Sequence, residues 1–475
     1  MSNLLLILVR LPFSFALLLG AAAPALAQVP VQPELPAAPE QRQAEPGTQT
    51  PESRGSGIWD RANLFGDPGG VRTKLSAHGV TLGLSEASEV TGNVTGGSRR
   101  AITYAGLTRF GVQLDTAAAI GVPGGTFKVS GFQVHGQGLG DGALRGDVYA
   151  ISNIEERRAT LLAELWYEQE VHKGVTVRAG QLFADLEFMT SDYGGLFVAS
   201  TFGWSAFATT SLPNGGPIYP RAALGIRMRA QATDAWTVLG SVFNGDPTGP
   251  DQADGRSGNL NGTALRLGDG VFAIVEIQYG LNRGETPAGL PGTYKLGGWY
   301  NSRQFGDRRT SSESLALNDP ASNGQPAFRH GNWSAYAVID QLVWREAGKT
   351  DQGAGVFARI MGGPGDRNLI NLYVDAGLSY KGLLPGRQND TAGVGISYSR
   401  FSDSRGQNDP GSGTPPIRRN EVLVEATYQA SLTPWWQLQP VVQYLIHPSA
   451  NVDPSRPSLR LRNTAIIALR TNLTF

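Results

Sequence analysis

The sequence predicts an all-β protein: a transmembrane antiparallel β-barrel of about sixteen strands, preceded by a short N-terminal helix. Three observations carry the prediction. The last stretch, Arg462 to Phe475, alternates: Ala465, Ile467, Leu469, Thr471, Leu473 and Phe475 form one set, and Thr464, Ile466, Ala468, Arg470, Asn472 and Thr474 the other. Side chains alternate faces along a strand, so one face is oily and one is wet. The stretch is long enough to cross a bilayer as a tilted strand, which takes roughly 9–11 residues. A strand edge in hydrocarbon has no water to satisfy it, so the terminal strand must close against the first one. Second, the 475 residues include 62 Gly and 29 Pro, with charged content of only 17%. That suits many turns and close strand packing and does not suit a helical core. Third, no run after residue 27 supplies 18 consecutive apolar residues, so a membrane-embedded chain has only the barrel open to it.

In chain order, Leu4 to Leu19 is apolar apart from Arg10, Pro12 and Ser14, and small residues follow up to Ala25-Leu26-Ala27. This reads as a secretory signal peptide over 1–27, with an uncleaved anchor as the alternative. Its removal leaves 39 basic residues of 40 against 40 acidic, a net charge of −1, and nothing basic enough to point to nucleic acid. The chain has no Cys, so an exported form has neither disulfides nor thiolate metal sites. Residues 28–57 are rich in Pro, Gln and Glu and read as a flexible leader. Over 58–79, Asp67 as N-cap, Pro68 at N1 and Gly79 at C′ predict a periplasmic helix of about eleven residues. Its GDPGG lacks the Lys-Ser/Thr of a phosphate loop.

From Val80 to Phe475 the alternating segments run at about 80–90, 104–116, 125–135, 160–171, 174–183, 222–232, 235–243, 271–280, 292–303, 332–344, 354–363, 370–381, 392–402, 420–432, 435–447 and 462–475. Phe110, Val112 and Leu114 oppose Arg109, Gln113 and Asp115. Val422, Val424, Ala426 and Tyr428 oppose Glu425, Thr427 and Gln429. Tyr279, Tyr300, Trp333, Trp435 and Trp436 stand near segment ends, where interface girdles belong. Short connections (173–174, 233–234, 363–367, 433–434) and long ones (136–159, 184–221, 244–270, 304–331, 403–419, 448–461) are expected at opposite barrel ends.

Several stretches carry a resemblance: LFGDPGGVRTKLSAHGVTLGL (64–84), LWYEQEV (165–171), LPGTYKLGGWYNS (290–302), AYAVIDQLVWR (335–345), GLLPGRQND (382–390) and EVLVEATYQASLTPWWQLQPVVQYLIHP (421–448). Together they resemble the carbohydrate-selective porins of the OprB type, over about residues 58 to 475. The resemblance implies a sixteen-stranded porin in the outer membrane of a Gram-negative bacterium. It further implies passive diffusion of glucose and other mono- and oligosaccharides, assembly as a homotrimer among outer-membrane lipids, and no enzymatic activity or cofactor.

A sugar channel needs aromatic platforms for C–H faces and paired charges for hydroxyls, because charged groups make the strongest hydrogen bonds. Strand parity puts Glu164, Trp166, Glu168 and Glu170 on one face, Arg178 inward on the next segment, and Arg221, Arg227 and Arg229 on one face of the segment after. The predicted pore lining is Glu164, Trp166, Glu168, Arg178, Arg221, Arg227 and Arg229. The alternative is a salt-bridge net that stiffens the wall. An arginine ladder would also suit a general or anion-preferring porin. The 184–221 connection holds Asp185, Glu187, Tyr193, Phe197, Phe202, Trp204 and Phe207, too many aromatics for a solvated loop. It either folds into the lumen or packs on the rim or a neighbouring subunit. The five histidines (His78, His135, His172, His330, His447) have no metal-ligand spacing. Asp246, Asp251, Asp254 and Asp269 read as turn residues, with a calcium loop as the alternative. No G-x-S-x-G nucleophile motif is present.

Overall fold

The computed structural model describes residues 57–475, apart from 141–142, 145–147, 250–257, 283–288, 318, 403–419 and 454–455. The signal-peptide and leader expectations therefore lie outside the described residues. Sixteen strands close one antiparallel barrel. They are β1 (Val80–Asn93), β2 (Ile102–Asp115), β3 (Gly125–Gly136), β4 (Ala159–His172), β5 (Val175–Leu182), β6 (Ala223–Gln231), β7 (Trp236–Asn244) and β8 (Val271–Leu281). The round continues with β9 (Gly292–Ser311), β10 (Pro326–Arg345), β11 (Gly353–Gly362), β12 (Ile370–Lys381), β13 (Thr391–Phe401), β14 (Asn420–Thr433) and β15 (Trp436–Ile446). A small hairpin, β16 (Val452–Asp453) and β17 (Arg456–Arg460), precedes the last stave, β18 (Thr464–Thr474). Each barrel strand pairs with its sequence neighbour, and β18 closes on β1 with Ser85 opposite Thr474 and Asn93 opposite Ile466.

The alternation faces as expected. Ile467 and Leu469 are exposed on the outside while Arg470 is buried inside. Val394, Ile396 and Val442 face out, and Asp375, Glu425 and Gln439 face in. Hydrocarbon takes the apolar set, and each barrel strand is paired on both sides around the ring.

Four expectations need correction. The helix is shorter: Gly69 and Gly70 have φ of 67° and 70°, so a 3-10 turn (Pro68–Gly70) leads into a helix α1 of seven residues (Val71–Ala77). Asp67 still accepts from the amides of Arg72 at 2.7 Å and Thr73 at 3.3 Å. Next, β9 and β10 run 20 residues each, eight and seven more than expected, because their polar ends keep pairing beyond the apolar band, with Arg329 bonded to Asp307 at 2.8 Å. Third, antiparallel order puts the short 363–369 connection at the long-loop end, beside 137–158 and 183–222. Finally, Trp435 is not a girdle residue. It is 8% exposed, stacks on Trp59 at 6.3 Å and donates to the Ile58 carbonyl at 2.7 Å. The 57–79 segment thus packs at the short-turn end. There Arg72 also donates to the Phe475 carbonyl oxygen at 2.6 Å, and Phe65 lies 5.2 Å from the Phe475 ring. Trp333 and Tyr300 do stand exposed on the outer wall.

Candidate functional site

Loop 183–222 folds into the barrel. Phe188, Phe197, Phe202 and Phe207 are each under 3% exposed. They satisfy the hydrophobic effect against wall residues rather than lipid. Phe197 lies 4.7 Å from Phe202 and 5.7 Å from Phe357 of β11. Glycine makes the room: a Cβ on Gly355 would fall 1.9 Å from the Tyr193 ring. The wall's inward polar residues then take the loop's backbone. Glu425 accepts from the Val198 and Ala199 amides at 2.6 and 2.9 Å, and Glu276 from Met189 at 2.8 Å. Arg359 donates to the carbonyls of Gly203 (2.6 Å), Thr201 (2.8 Å) and Met189 (3.1 Å), with Asp375 as its ion partner. A second loop, 137–158, lines the neighbouring wall. Tyr149 donates to Ser399 Oγ at 2.9 Å, and Gln443 donates to the Ile151 carbonyl at 2.8 Å.

Five of the residues expected to line the pore, Glu164, Trp166, Glu168, Arg178 and Arg227, meet in one place, with one neighbour that loop 183–222 supplies. Glu168 accepts from Arg178 at 3.0 Å and from Arg227 at 2.6 Å. Glu187, from the loop, accepts from the same two at 2.9 and 3.1 Å. The Arg178 guanidinium lies 3.9 Å from the centre of the Trp166 ring. Trp166 is 4% exposed and donates to Glu164 at 2.9 Å, and Glu164 pairs with Lys128 at 3.0 Å. The ring face expected to meet sugar is occupied by an arginine. Arg221 stands apart, 3.6 Å from Glu156 of the other loop. Arg229 shares the Arg227 face and is half-buried.

An open cavity lies elsewhere, between the two loops and the inner faces of β1, β2 and β18. It is a cavity of about 590 Å³ lined by Arg109, Asn153, Asp185, Tyr219, Arg221 and Arg470 among others. Arg470 is fixed by Glu89 at 2.8 Å, Ser152 at 3.0 Å and Asn153 at 2.7 Å. Asp185, in the loop, accepts from the Tyr219 amide at 3.4 Å, and its other oxygen has no partner. Burial, helped by the nearby charge of Glu164, pushes its carboxyl up to about 7. Of this set, strand parity places Arg109, Arg221 and Arg470 on wet faces. Asn153 and Tyr219 come from loops, whose path no two-residue rhythm encodes.

Asp246, from the aspartate-rich loop, accepts from Asn214 at 2.8 Å and the Thr248 amide at 3.1 Å, and it pairs with Arg303 at 2.9 Å. Asp269 pairs with Arg266. Asp251 and Asp254 lie outside the described residues. Among the described residues, no cluster of three or more His, Asp or Glu has metal-holding geometry.

Known proteins share this architecture. The P. putida OprB structure solved at high pH superposes with a TM-score of 0.76 at 22% identity, covering 88% of this chain and all of that one. Porin B of Pseudomonas aeruginosa is 24% identical over 422 residues, 81% of this chain and 87% of that protein. The putative porin QuiX of Acinetobacter baylyi is 23% identical over 427 residues, 82% of this chain and 89% of that protein. Residues 99–475 match the family described as "Carbohydrate-selective porin, OprB family". With its closed sixteen-stranded wall, the chain belongs to that family and is a carbohydrate porin of the Gram-negative outer membrane.

Proposed function

We propose that the chain passes glucose and other small sugars passively, as a homotrimer, through the cavity between loops 137–158 and 183–222. The observation that carries this is the pairing of charge. Arg178 and Arg227 face Glu168 and Glu187, Arg470 faces Glu89, and Arg221 faces Glu156. A lumen of opposed charges offers strong donors and acceptors to a neutral polyol without the single-sign field that draws ions. The same pairing weakens the anion-porin reading, because arginines that face carboxylates leave little net positive potential. In this reading Glu164, Trp166, Glu168, Arg178, Arg227 and Arg229 set the position of loop 183–222, while Arg221 reaches the sugar. Residues 1–27 direct export, and 58–79 sit on the periplasmic side.

Liposome swelling with a panel of mono- and disaccharides tests it. Swelling should be fastest for monosaccharides and fall steeply for disaccharides, and glucose should reduce salt current in planar bilayers. Strong anion preference with no effect of sugar would overturn the proposal.

A further inference from the structure

Three tryptophans form one row at the short-turn end. The Trp59 and Trp435 rings stack with centres 6.3 Å apart and planes 25° apart, and Trp435 and Trp436 stack at 6.0 Å and 15°. Trp435 and Trp436 are consecutive, and neighbours along a strand point to opposite faces. Trp436 shares the parity of Val442 and Tyr444, which are exposed on the outer wall, and donates to the Thr471 hydroxyl at 2.9 Å. Trp435 shares the parity of Gln437 and Gln439. Gln439 is buried inside, and Trp435 and Gln437 both line the cavity. The row therefore crosses the lower edge of the wall from lipid to lumen, and Trp59 stands at its inner end.

Trp59 is 63% exposed, whereas Trp435 behind it is almost fully covered. One face of the Trp59 indole rests on Trp435, and the other is open. The backbone around it is pinned. Trp435 Nε1 holds the Ile58 carbonyl, the Asp60 amide donates to the Gly57 carbonyl at 3.0 Å, and the Leu64 amide donates to the Thr474 carbonyl at 2.9 Å. Leaving an indole in water forgoes its apolar burial. A ring held in place with one face free is suited to an apolar ligand surface. The next residue, Asp60, is exposed and brings a carboxylate acceptor beside the ring.

We infer that Trp59 is a sugar-binding platform at the periplasmic mouth, taking the C–H face of a hexose that leaves the cavity. The inference rests on the sugar-porin reading. The C–H hydrogens of a pyranose carry partial positive charge and meet the negative face of the indole, while Asp60 accepts from a hydroxyl at the ring's edge. The cavity runs down to Pro434, Trp435 and Thr474, so a departing sugar passes the inner end of the row. Inside the barrel Trp166 cannot serve this way, because Arg178 covers its ring. Lipid is the rival occupant of an exposed tryptophan, but in this row Trp436 holds the lipid side.

The full chain, labelled with fluorotryptophan and placed in nanodiscs, tests this by fluorine NMR. The Trp59 resonance is the one missing from Trp59→Phe. Glucose should shift it saturably, and sorbitol, which has no pyranose face, should not. In planar bilayers, glucose added on the short-turn side should block current about three- to ten-fold less often in Trp59→Ala than in wild type, with block from the other side unchanged. A Trp59 resonance that ignores glucose, its broadening by a lipid-borne spin label, or equal block in Trp59→Ala would each overturn the inference. Liposome swelling reports sugar passage separately. Normal swelling with a silent Trp59 resonance removes the platform and leaves the porin function standing, whereas a shifted resonance without swelling keeps the platform and removes the passage.

Discussion

The inner wall has two halves that obey the same alternation and end differently. On β8 to β15, inward residues such as Glu276, Arg359, Asp375 and Glu425 are under 2% exposed, because loop 183–222 covers them and uses them as anchors. On β1 and β2, Ser85 and Arg109 border open space. One half of the interior is a packed polar core, and the other keeps an open cavity. An inward polar residue is therefore not by itself a pore residue. What decides is whether a loop lies over it.

The comparison breaks most visibly at Arg359. Asp375→Ala would leave a fully buried guanidinium without its carboxylate, a loss of about 3–5 kcal/mol. The expected result is a lower unfolding temperature in detergent, larger single-channel conductance and loss of sugar discrimination as the loop comes free. A variant with wild-type conductance would show that the loop does not depend on this anchor. Glu187→Gln acts between the halves. It leaves Arg178 and Arg227 to share Glu168, so one positive charge in the lumen is uncompensated. Anion-to-cation permeability should rise about two-fold, with little change in unfolding temperature; unchanged reversal potentials would place the quartet outside the ion path.

The smallest effect belongs to the open half. The Asp185 carboxyl, raised to about 7 by burial, is ionised above that pH and neutral below it. Going from about pH 8 to about pH 6 therefore removes a negative charge from the pore, and anion preference should increase modestly. Asp185→Asn should show the acid-side selectivity at both pH values. A pH response that survives in Asp185→Asn would assign it to another group.

Much of this was legible in the residues. Each of the sixteen predicted segments overlaps a barrel strand, since a wall between lipid and water forces a period of two. The Arg178, Arg227 and Glu168 meeting was also legible, because adjacent strands bring matching parity together. Glu187 was not, as it arrives from a loop. That the Trp166 ring holds Arg178 was not legible, because an inward aromatic beside charges attracts a guanidinium as readily as a sugar. The helix at 71–77 came out short because Gly69 and Gly70 take left-handed dihedrals, which a capping pattern does not reveal.

By itself the sequence determined the barrel, its strand count and the facing of the clearly alternating wall residues, because those follow from local alternation and the need to pair strand backbones in hydrocarbon. Only the tertiary structure decided where open space remains inside the wall. That depends on two long loops finding their partners on distant strands, such as Val198 on Glu425 and Tyr149 on Ser399. Contacts of that kind are set by packing across the lumen, not by spacing along the chain.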